Sequence, residues 1–283
     1  MDLSIIIVNF NTKKLTEQTI KAVIDTTHKI EYEIIVADNS SNKAETYKSD
    51  DPRVHVIENV ENRGFGYACN IGEKQAKGRY VLFLNSDTVM QEDTLDKCVA
   101  YMDKNADIGC LGIRTLLRDG TLDHGCKRGF PTPWNSFCYV LKLDRLFPKN
   151  KVTGGYRMSY IDEHETAEVD SVSGAFMLMP KELFDKSGGF DESIFMYGED
   201  IDLCYRVKTM DKKVVYYADG LMIHLKGQSG LNTKNKAVIR HFRDGIRVFY
   251  DKYYKDRYNF LVTWLMHAAI DIRYFISLIR ARF

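Results

Sequence analysis

Three continuous apolar runs punctuate the first third of the chain, and each ends in Asn or Asp. They are Leu3–Asn9, Tyr32–Asp38 and residues 79–85, the last reading Arg-Tyr-Val-Leu-Phe-Leu-Asn. Unbroken apolar runs of this length predict strands buried on both faces. Between the first two, Leu15, Ile20, Val23 and Ile24 recur at helical spacing, and residues 67–77 before the third are also helix-like. Strands alternating with helices predict an α/β domain: a mostly parallel sheet with helices on both faces. Such sheets bind ligands outside the carboxyl ends of their strands. Asn9, Asp38-Asn39 and Asn85 stand at those ends.

From about residue 123 to 168 the periodicity is lost, in a stretch carrying Pro131, Pro133, Trp134, Pro148, Gly154 and Gly155. A loop this long inside a compact domain predicts a lid or binding segment, partly mobile without ligand. Regular structure returns over 169–179, a helix from Lys181 to Lys186, the turn Gly188-Gly189, and a helix opened by Glu199-Asp200. Residues 214–218 and 221–225 read as two further strands.

The last fifty residues have another character. Residues 237–254 predict a basic, Tyr-rich helix. Residues 258–279 are almost wholly apolar except for Asn259, Thr263, His267 and Asp271, four apart, which make a narrow polar stripe on a wide apolar helix. Asp271 and Arg273 argue against a spanning helix. Trp264, Tyr274, Arg280 and Arg282 suit one lying in a membrane interface. The alternative is packing on the body or on a second subunit, making a homodimer. The organisation expected is therefore a domain over residues 1–233 and a helical appendage over 234–283.

Charge sharpens this division. Residues 234–283 hold eleven Lys and Arg against four Asp and Glu, a net +7, while residues 1–233 carry −6. A basic tail on an acidic body points to an anionic surface as partner. The acidic body has no basic groove for nucleic acid. Cys69, Cys98, Cys110, Cys126, Cys138 and Cys204 form no Cys-x-x-Cys pair and no zinc spacing. Four of them, all but Cys126 and Cys138, sit among apolar neighbours and read as buried thiols of a reducing cytosol. The amino terminus has no basic segment followed by a long apolar core, so no secretory leader is expected. Neither Gly-x-Gly-x-x-Gly nor Gly-x-x-x-x-Gly-Lys-Ser/Thr occurs, which disfavours a dinucleotide cofactor and a P-loop.

The candidate chemistry starts at Met196-Tyr197-Gly198-Glu199-Asp200, where two carboxylates meet at the junction of a Gly turn and a helix. A carboxylate there can be aimed into a cleft and held by a packed helix, as a general base requires. Helix capping is the plainer use of the same residues. Asp38 at a strand end can accept hydrogen bonds from a nucleotide base or ribose hydroxyl, or cap its own loop; Asn9 and Asn11 line the same corner. Asn62-Arg63-Gly64-Phe65-Gly66 offers glycines for close backbone approach and a cation near phosphates, or an ordinary turn. Asp87 is one hard carboxylate at a strand end, suited to a divalent cation shared with phosphates. His224 is a lone histidine at a strand end, structural or ligating.

Taken in order, these pieces resemble the glycosyltransferase family 2 enzymes of GT-A fold, in particular the rhamnosyltransferase-like branch. The matching pieces are Val8-Asn9-Phe10-Asn11, Asp38-Asn39-Ser40-Ser41, Glu61-Asn62-Arg63-Gly64-Phe65-Gly66, Leu84-Asn85-Ser86-Asp87-Thr88, Ser173-Gly174-Ala175-Phe176, Tyr197-Gly198-Glu199-Asp200, and His224 with Lys226-Gly227-Gln228-Ser229. They span roughly residues 3–230. Asn85-Ser86-Asp87 occupies the place of the family's Asp-x-Asp metal motif, with Asn85 replacing its first Asp.

The resemblance implies an inverting transferase that uses a divalent metal, Mn²⁺ or Mg²⁺. Asp200 is then the base and Glu199 an orienting group. Asp87 and His224 hold the metal. Asn9, Asn11, Asp38, Asn62, Arg63, Gly64, Asn85, Ser86 and Lys226 surround the nucleoside-diphosphate sugar. The resemblance also suggests dTDP-L-rhamnose as donor and a lipid-linked cell-envelope glycan as acceptor. The expected location is the cytoplasmic face of the plasma membrane, held peripherally by the tail. Two other readings stand beside it: a nucleotidyltransferase that makes the sugar nucleotide, and a non-catalytic glycan-binding protein of the same fold.

Overall fold

The structure is a computed structural model that describes residues 1–225 and 235–281. Its first half follows the hydrophobic pattern closely. β1 (Leu3–Asn9), α1 (Lys13–Thr26), β2 (Tyr32–Asp38), β3 (Val54–Glu58), α2 (Phe65–Glu73) and β4 (Tyr80–Asn85) alternate as expected. The four strands are parallel, in the order β3-β2-β1-β4. Asn9 pairs in register with Asp38, and Val8 with Asn85, so the polar strand ends form one rim.

The apolar runs are divided by the pleat. Leu3, Ile5 and Ile7 of β1 face a core shared with Ile20 and Val23 of α1. Ile6 faces the opposite core, with Cys69 of α2 and Phe83 of β4. Both faces are dry, which is why no alternation is visible in the sequence.

Beyond β4 the sheet becomes mixed. β5 (Thr88–Met90), α3 (Thr94–Lys104) and β6 (Ile108–Leu117) lead into the Pro-rich region, and that region is not wholly irregular. It contains a 3₁₀ turn at His124–Cys126, α4 (Pro133–Val140), α5 (Leu143–Leu146) and, at its end, β7 (Ala167–Val169). The amino end of α4 is set by the Thr132 side chain, which accepts from the Asn135 N–H, with Pro133 just inside the helix.

β8 (Phe176–Pro180) inserts antiparallel between β4 and β6. α6 (Lys181–Ser187) and α7 (Glu199–Thr209) cover one face, and β9 (Lys213–His224) runs parallel to β6. The two strands expected at 214–218 and 221–225 are thus one. The register on β6 jumps from Ile113–Tyr217 to Arg114–Leu221, so Ala218-Asp219-Gly220 bulges out and mimics a turn in the sequence. β5 and β7 pair antiparallel with β9. All six cysteines are free and buried.

The tail forms α8 (Lys236–Tyr253) and α9 (Phe260–Arg280). α8 is fastened to the body by an aromatic cluster: Phe249, Tyr250 and Tyr254 pack on Ile201 and Tyr205 of α7. The polar stripe of α9 faces α8. The hydroxyls of Thr263 and Tyr250 lie 3.2 Å apart, His267 is 2.7 Å from Asp251, and Asp271 is 3.5 Å from Arg247. No residue of α9 is buried. Among the described residues it is the helix long and apolar enough to cross a membrane, by length and composition.

Candidate functional site

Along the rim of β1 and β2 the polar residues bind mainly one another. Asn9 is fully buried, and its amide donates to Asp38 (2.7 Å), the Ser40 hydroxyl and the Glu45 carbonyl. Its carbonyl oxygen accepts from Thr12 and Thr16. With its amide and carbonyl both engaged within the protein, Asn9 braces the β2 loop that borders the rim where a pocket role was expected of it. Asn11, at φ 55°, ties the same loop by accepting from the Asn42 N–H and donating to Ser41. Asp38 accepts from Asn9, the Tyr47 N–H and the Ser40 N–H. Three of its four lone-pair directions are used, leaving one.

The 62–66 turn is shaped by a neighbouring segment. Gly64 has φ 108°, and a Cβ there would collide with the Phe195 carbonyl, to which Phe65 N–H donates at 3.0 Å. The Asn62 side chain accepts from Gly64 N–H and from Asn39. Arg63 stacks over Tyr67, 4.2 Å from the ring centre, and is 3.6 Å from Glu192. The glycine thus serves chain packing in this structure, and the half-exposed Arg63 lies between Glu61 and Glu192.

At the end of β4 lies a buried polar cluster. His224 Nε2 is 3.2 Å from Asp87 Oδ1 and 3.5 Å from the Asn85 amide, while its Nδ1 is 3.1 Å from Asp123 Oδ2. Pairing of Thr88 with His224 between β5 and β9 brings these residues together, and Leu225 N–H closes onto the Asp87 carbonyl. Burial opposes charge on the imidazole, but its hydrogen bonds to Asp123 and Asp87 outweigh this and push its pKa up to about 9. Asp87 Oδ2 is buried without a hydrogen-bond partner. Ser86, beside it, faces Thr12 across 3.3 Å.

That orphan oxygen is the observation that tests a metal here. A buried carboxylate oxygen with no donor is costly, and a divalent cation resolves the cost. His224 fits as a second ligand once its Nε2 proton leaves, because Asp123 then holds the Nδ1–H tautomer. Among the described residues no group of three or more His, Cys, Asp and Glu has an arrangement that could hold a metal ion. The residues that would hold a divalent cation here are therefore two, Asp87 and His224.

The third part is the amino end of α7. Tyr197 (φ 69°) and Gly198 (φ 107°) make the left-handed turn that aims Glu199 and Asp200 inward. Asp200 Oδ2 accepts from Arg128 Nη2 at 2.6 Å and Gly174 N–H at 3.0 Å, and Oδ1 accepts from Ile201 N–H. One lone-pair direction on Oδ1 remains open. Glu199 differs: its Oε2 is buried with no partner, and burial followed by the neighbouring Asp200 charge raises its pKa to about 8. At neutral pH Glu199 therefore keeps its proton.

Ser173-Gly174-Ala175 joins the two buried clusters. Gly174 N–H holds Asp200, and the next residue's carbonyl accepts from Asn85 N–H at 3.1 Å. Glu199, Asp200, Asn85, Asp87 and His224 therefore converge on one rim. Asn9, Asn11, Asp38 and Asn62 lie in the adjoining loops of the same rim. Lys226 lies outside the described residues. Two participants had no expected role. Arg128 is a lone arginine in an aperiodic stretch, with no sequence signal. Asp123 opens an Asp-x-Gly turn, which is legible, but its partner is 101 residues away.

A mixed sheet with helices on both faces and polar groups gathered at one strand-end rim defines a GT-A fold. A mannosyltransferase from Pyrobaculum calidifontis, solved with GDP-Man and Mn²⁺, superimposes with a TM-score of 0.60 at 18% identity, over 99% of this chain and 72% of that one. The family model for glycosyl transferase family 2 matches residues 4–164, and the chain belongs to that family.

Its curated relatives include the putative teichuronic acid biosynthesis glycosyltransferase TuaG of Bacillus subtilis, 31% identical over 42% of this chain and 49% of TuaG. The rhamnosyltransferase WbbL of Escherichia coli is 27% identical over 70% of this chain and 74% of its own length. The N-acetylglucosaminyl-diphospho-decaprenol L-rhamnosyltransferase of Mycobacterium tuberculosis is 26% identical over 69% and 67%. The chain spans about half the length of TuaG.

Proposed function

We propose that this protein is an inverting glycosyltransferase that moves a sugar from a nucleoside diphosphate onto a hydroxyl of a lipid-linked glycan. The observation that carries the reading is the Ser173–Ala175 link. It ties a salt-bridged carboxylate with one free lone pair to a buried Asp87–His224 pair with an orphan oxygen. Asp200 takes the acceptor proton on its free Oδ1 lone pair. The acceptor oxygen forms its bond to the anomeric carbon as the bond from that carbon to the diphosphate breaks. Arg128 and Gly174 N–H hold the Asp200 carboxyl in place through its Oδ2. Neutral Glu199 adds no second negative charge beside it. Asp87 and His224 would hold a divalent cation, Mn²⁺ or Mg²⁺, which supplies positive charge where the leaving group becomes negative.

The relatives' names support L-rhamnose as the sugar and a polyprenyl-diphosphate-linked glycan as the acceptor, and the motif resemblance suggests dTDP-L-rhamnose as the donor. The appended helices, with their outward apolar face and basic charge, support a peripheral position on the cytoplasmic face of the membrane.

A thermal-shift panel of sugar nucleotides with and without Mn²⁺ tests the donor, because a ligand that binds only the folded state raises Tm. dTDP-L-rhamnose with Mn²⁺ should give the largest rise, and transfer should stop in excess chelator. Full transfer in chelator would remove the metal from the scheme, and a larger rise with another nucleotide would reassign the donor.

A further inference from the structure

We propose that α4, the α4–α5 turn and the chain up to Val152 form a second membrane-contacting surface, beside α9, that seats the site against an anionic lipid bilayer. This rests on the reading of the tail as membrane-associated.

The amphipathicity of α4 is reversed: its apolar face points to solvent. Trp134, Phe137, Val140 and Leu141 recur three or four residues apart on one helix face, and all four are exposed, Trp134 by 52%. The chain that follows exposes Leu146, Phe147 and Val152 as well. These residues are held outward by structure. Trp134 stacks on Phe137, and its indole N–H donates to the Val152 carbonyl at 3.0 Å, so helix and return chain are clasped together. The inner face is anchored by buried Cys138 and by buried Asp144, paired with Arg157 at 3.2 Å.

Charge selects the partner. Within residues 133–152 the basic residues are Lys142, Arg145, Lys149 and Lys151, all exposed, and the acidic one is the buried Asp144. Apolar side chains interleaved with uncompensated cations fit the headgroup zone of an anionic membrane, where each kind finds its medium. A protein partner with an apolar face would not require four cations around it.

Position agrees. Arg273 of α9 lies over the ring of Tyr139 of α4, 5.7 Å from its centre, so the two helices meet. α9 is also reversed, its polar stripe against α8 and Phe260, Leu261, Trp264, Leu265, Ile272 and Phe275 outward. The segment bearing α4 also contains Arg128, which grips Asp200. Lipid contact through α4 would therefore place the mouth of the site at the headgroups, where a lipid-linked acceptor presents its sugar.

The chain's two tryptophans sit one on each surface, Trp134 and Trp264, and this gives a direct test. Full-length Trp264→Phe reports from α4 alone, and Trp134→Phe from α9 alone. With vesicles of equal phosphatidylglycerol and brominated phosphatidylcholine, both reporters should blue-shift and be quenched. In pure phosphatidylcholine vesicles the effect should be much weaker. Trp134→Glu combined with Phe137→Glu should weaken vesicle binding at least about tenfold, with donor thermal shift retained as the check on folding. If Trp264 is quenched while Trp134 is not, the tail alone holds the membrane and this proposal falls. If neither responds, the tail reading falls with it. If both shift with protein concentration in the absence of lipid, a second copy of the chain covers the surface and the proposal falls.

Discussion

At the scale of single residues, the pair Glu199-Asp200 shows how two adjacent carboxylates acquire different chemistry. Asp200 is neutralised by Arg128 and a backbone N–H, whereas Glu199 is buried beside Asp200 with a bare oxygen. Asp200→Asn should lower kcat at least about a hundredfold, with donor thermal shift retained, as expected when a general base is removed. Near-normal turnover would end the assignment. Glu199 makes a separate, thermodynamic prediction. Its carboxyl holds a proton up to about pH 8 in the fold, against an ordinary value of 4.5. Between those values the folded chain binds more protons than the unfolded one, so this group's contribution to stability is lost as pH rises through that window. Glu199→Gln stays neutral throughout. Its Tm relative to the parent should therefore rise from pH 5 to pH 8.5, and parallel Tm curves would show that Glu199 is ionised in the fold.

At the scale of elements, the left-handed turn before Glu199-Asp200 is braced by a helix from the tail. Gly245 of α8 lies so close to the Tyr197 carbonyl that a Cβ there would overlap it, and Gly198 faces the same glycine. Only a residue without a side chain lets α8 settle on the left-handed turn that opens α7. Gly245→Val should cost about 1–3 kcal/mol through overpacking and should lower kcat with it, since the turn that aims Asp200 must shift. Denaturant melts and steady-state rates check this, and unchanged values for both would show that α8 is a detachable appendage. The expected boundary at residue 233 follows a change in charge. The Phe249, Tyr250 and Tyr254 cluster on Tyr205 could not be read from that change, because it depends on where α7 lies in space.

At the scale of the whole molecule, the long Pro-rich segment carries both the exposed apolar face of α4 and Arg128, which is bonded to Asp200. It is tied to the body at several points. Lys127 donates to the carbonyls of Met158 and Ile161, Gly129 N–H to Tyr156, and Tyr216 OH to the Glu163 carbonyl. Between these ties, residues 133–152 rest on few buried side chains. Their amides should exchange with solvent faster than those of β1 and β4, and should slow when donor and vesicles are both present. Exchange as slow as in the strands under all conditions would count against a lid. The bulged β9 carries the opposite lesson. Ala218-Asp219-Gly220 reads locally as a turn, yet long-range pairing with β6 carries one strand through it.

The sequence by itself determined the parallel half of the sheet, the polar rim at its strand ends, the acidic start of α7 and the inverted character of the last helix. Each is written in local periodicity or at an element's end, where a few neighbouring residues settle the outcome. Only the tertiary structure decided that Asn9 braces the β2 loop and that Arg128 holds Asp200. The same is true of Asp123, which orients His224, and of the apolar face of α4, which points outward. These follow from contacts between residues about thirty to a hundred positions apart, or from which side of a helix the fold leaves uncovered. Burial and hydrogen-bond partners are properties of the packed chain, and no local pattern encodes them.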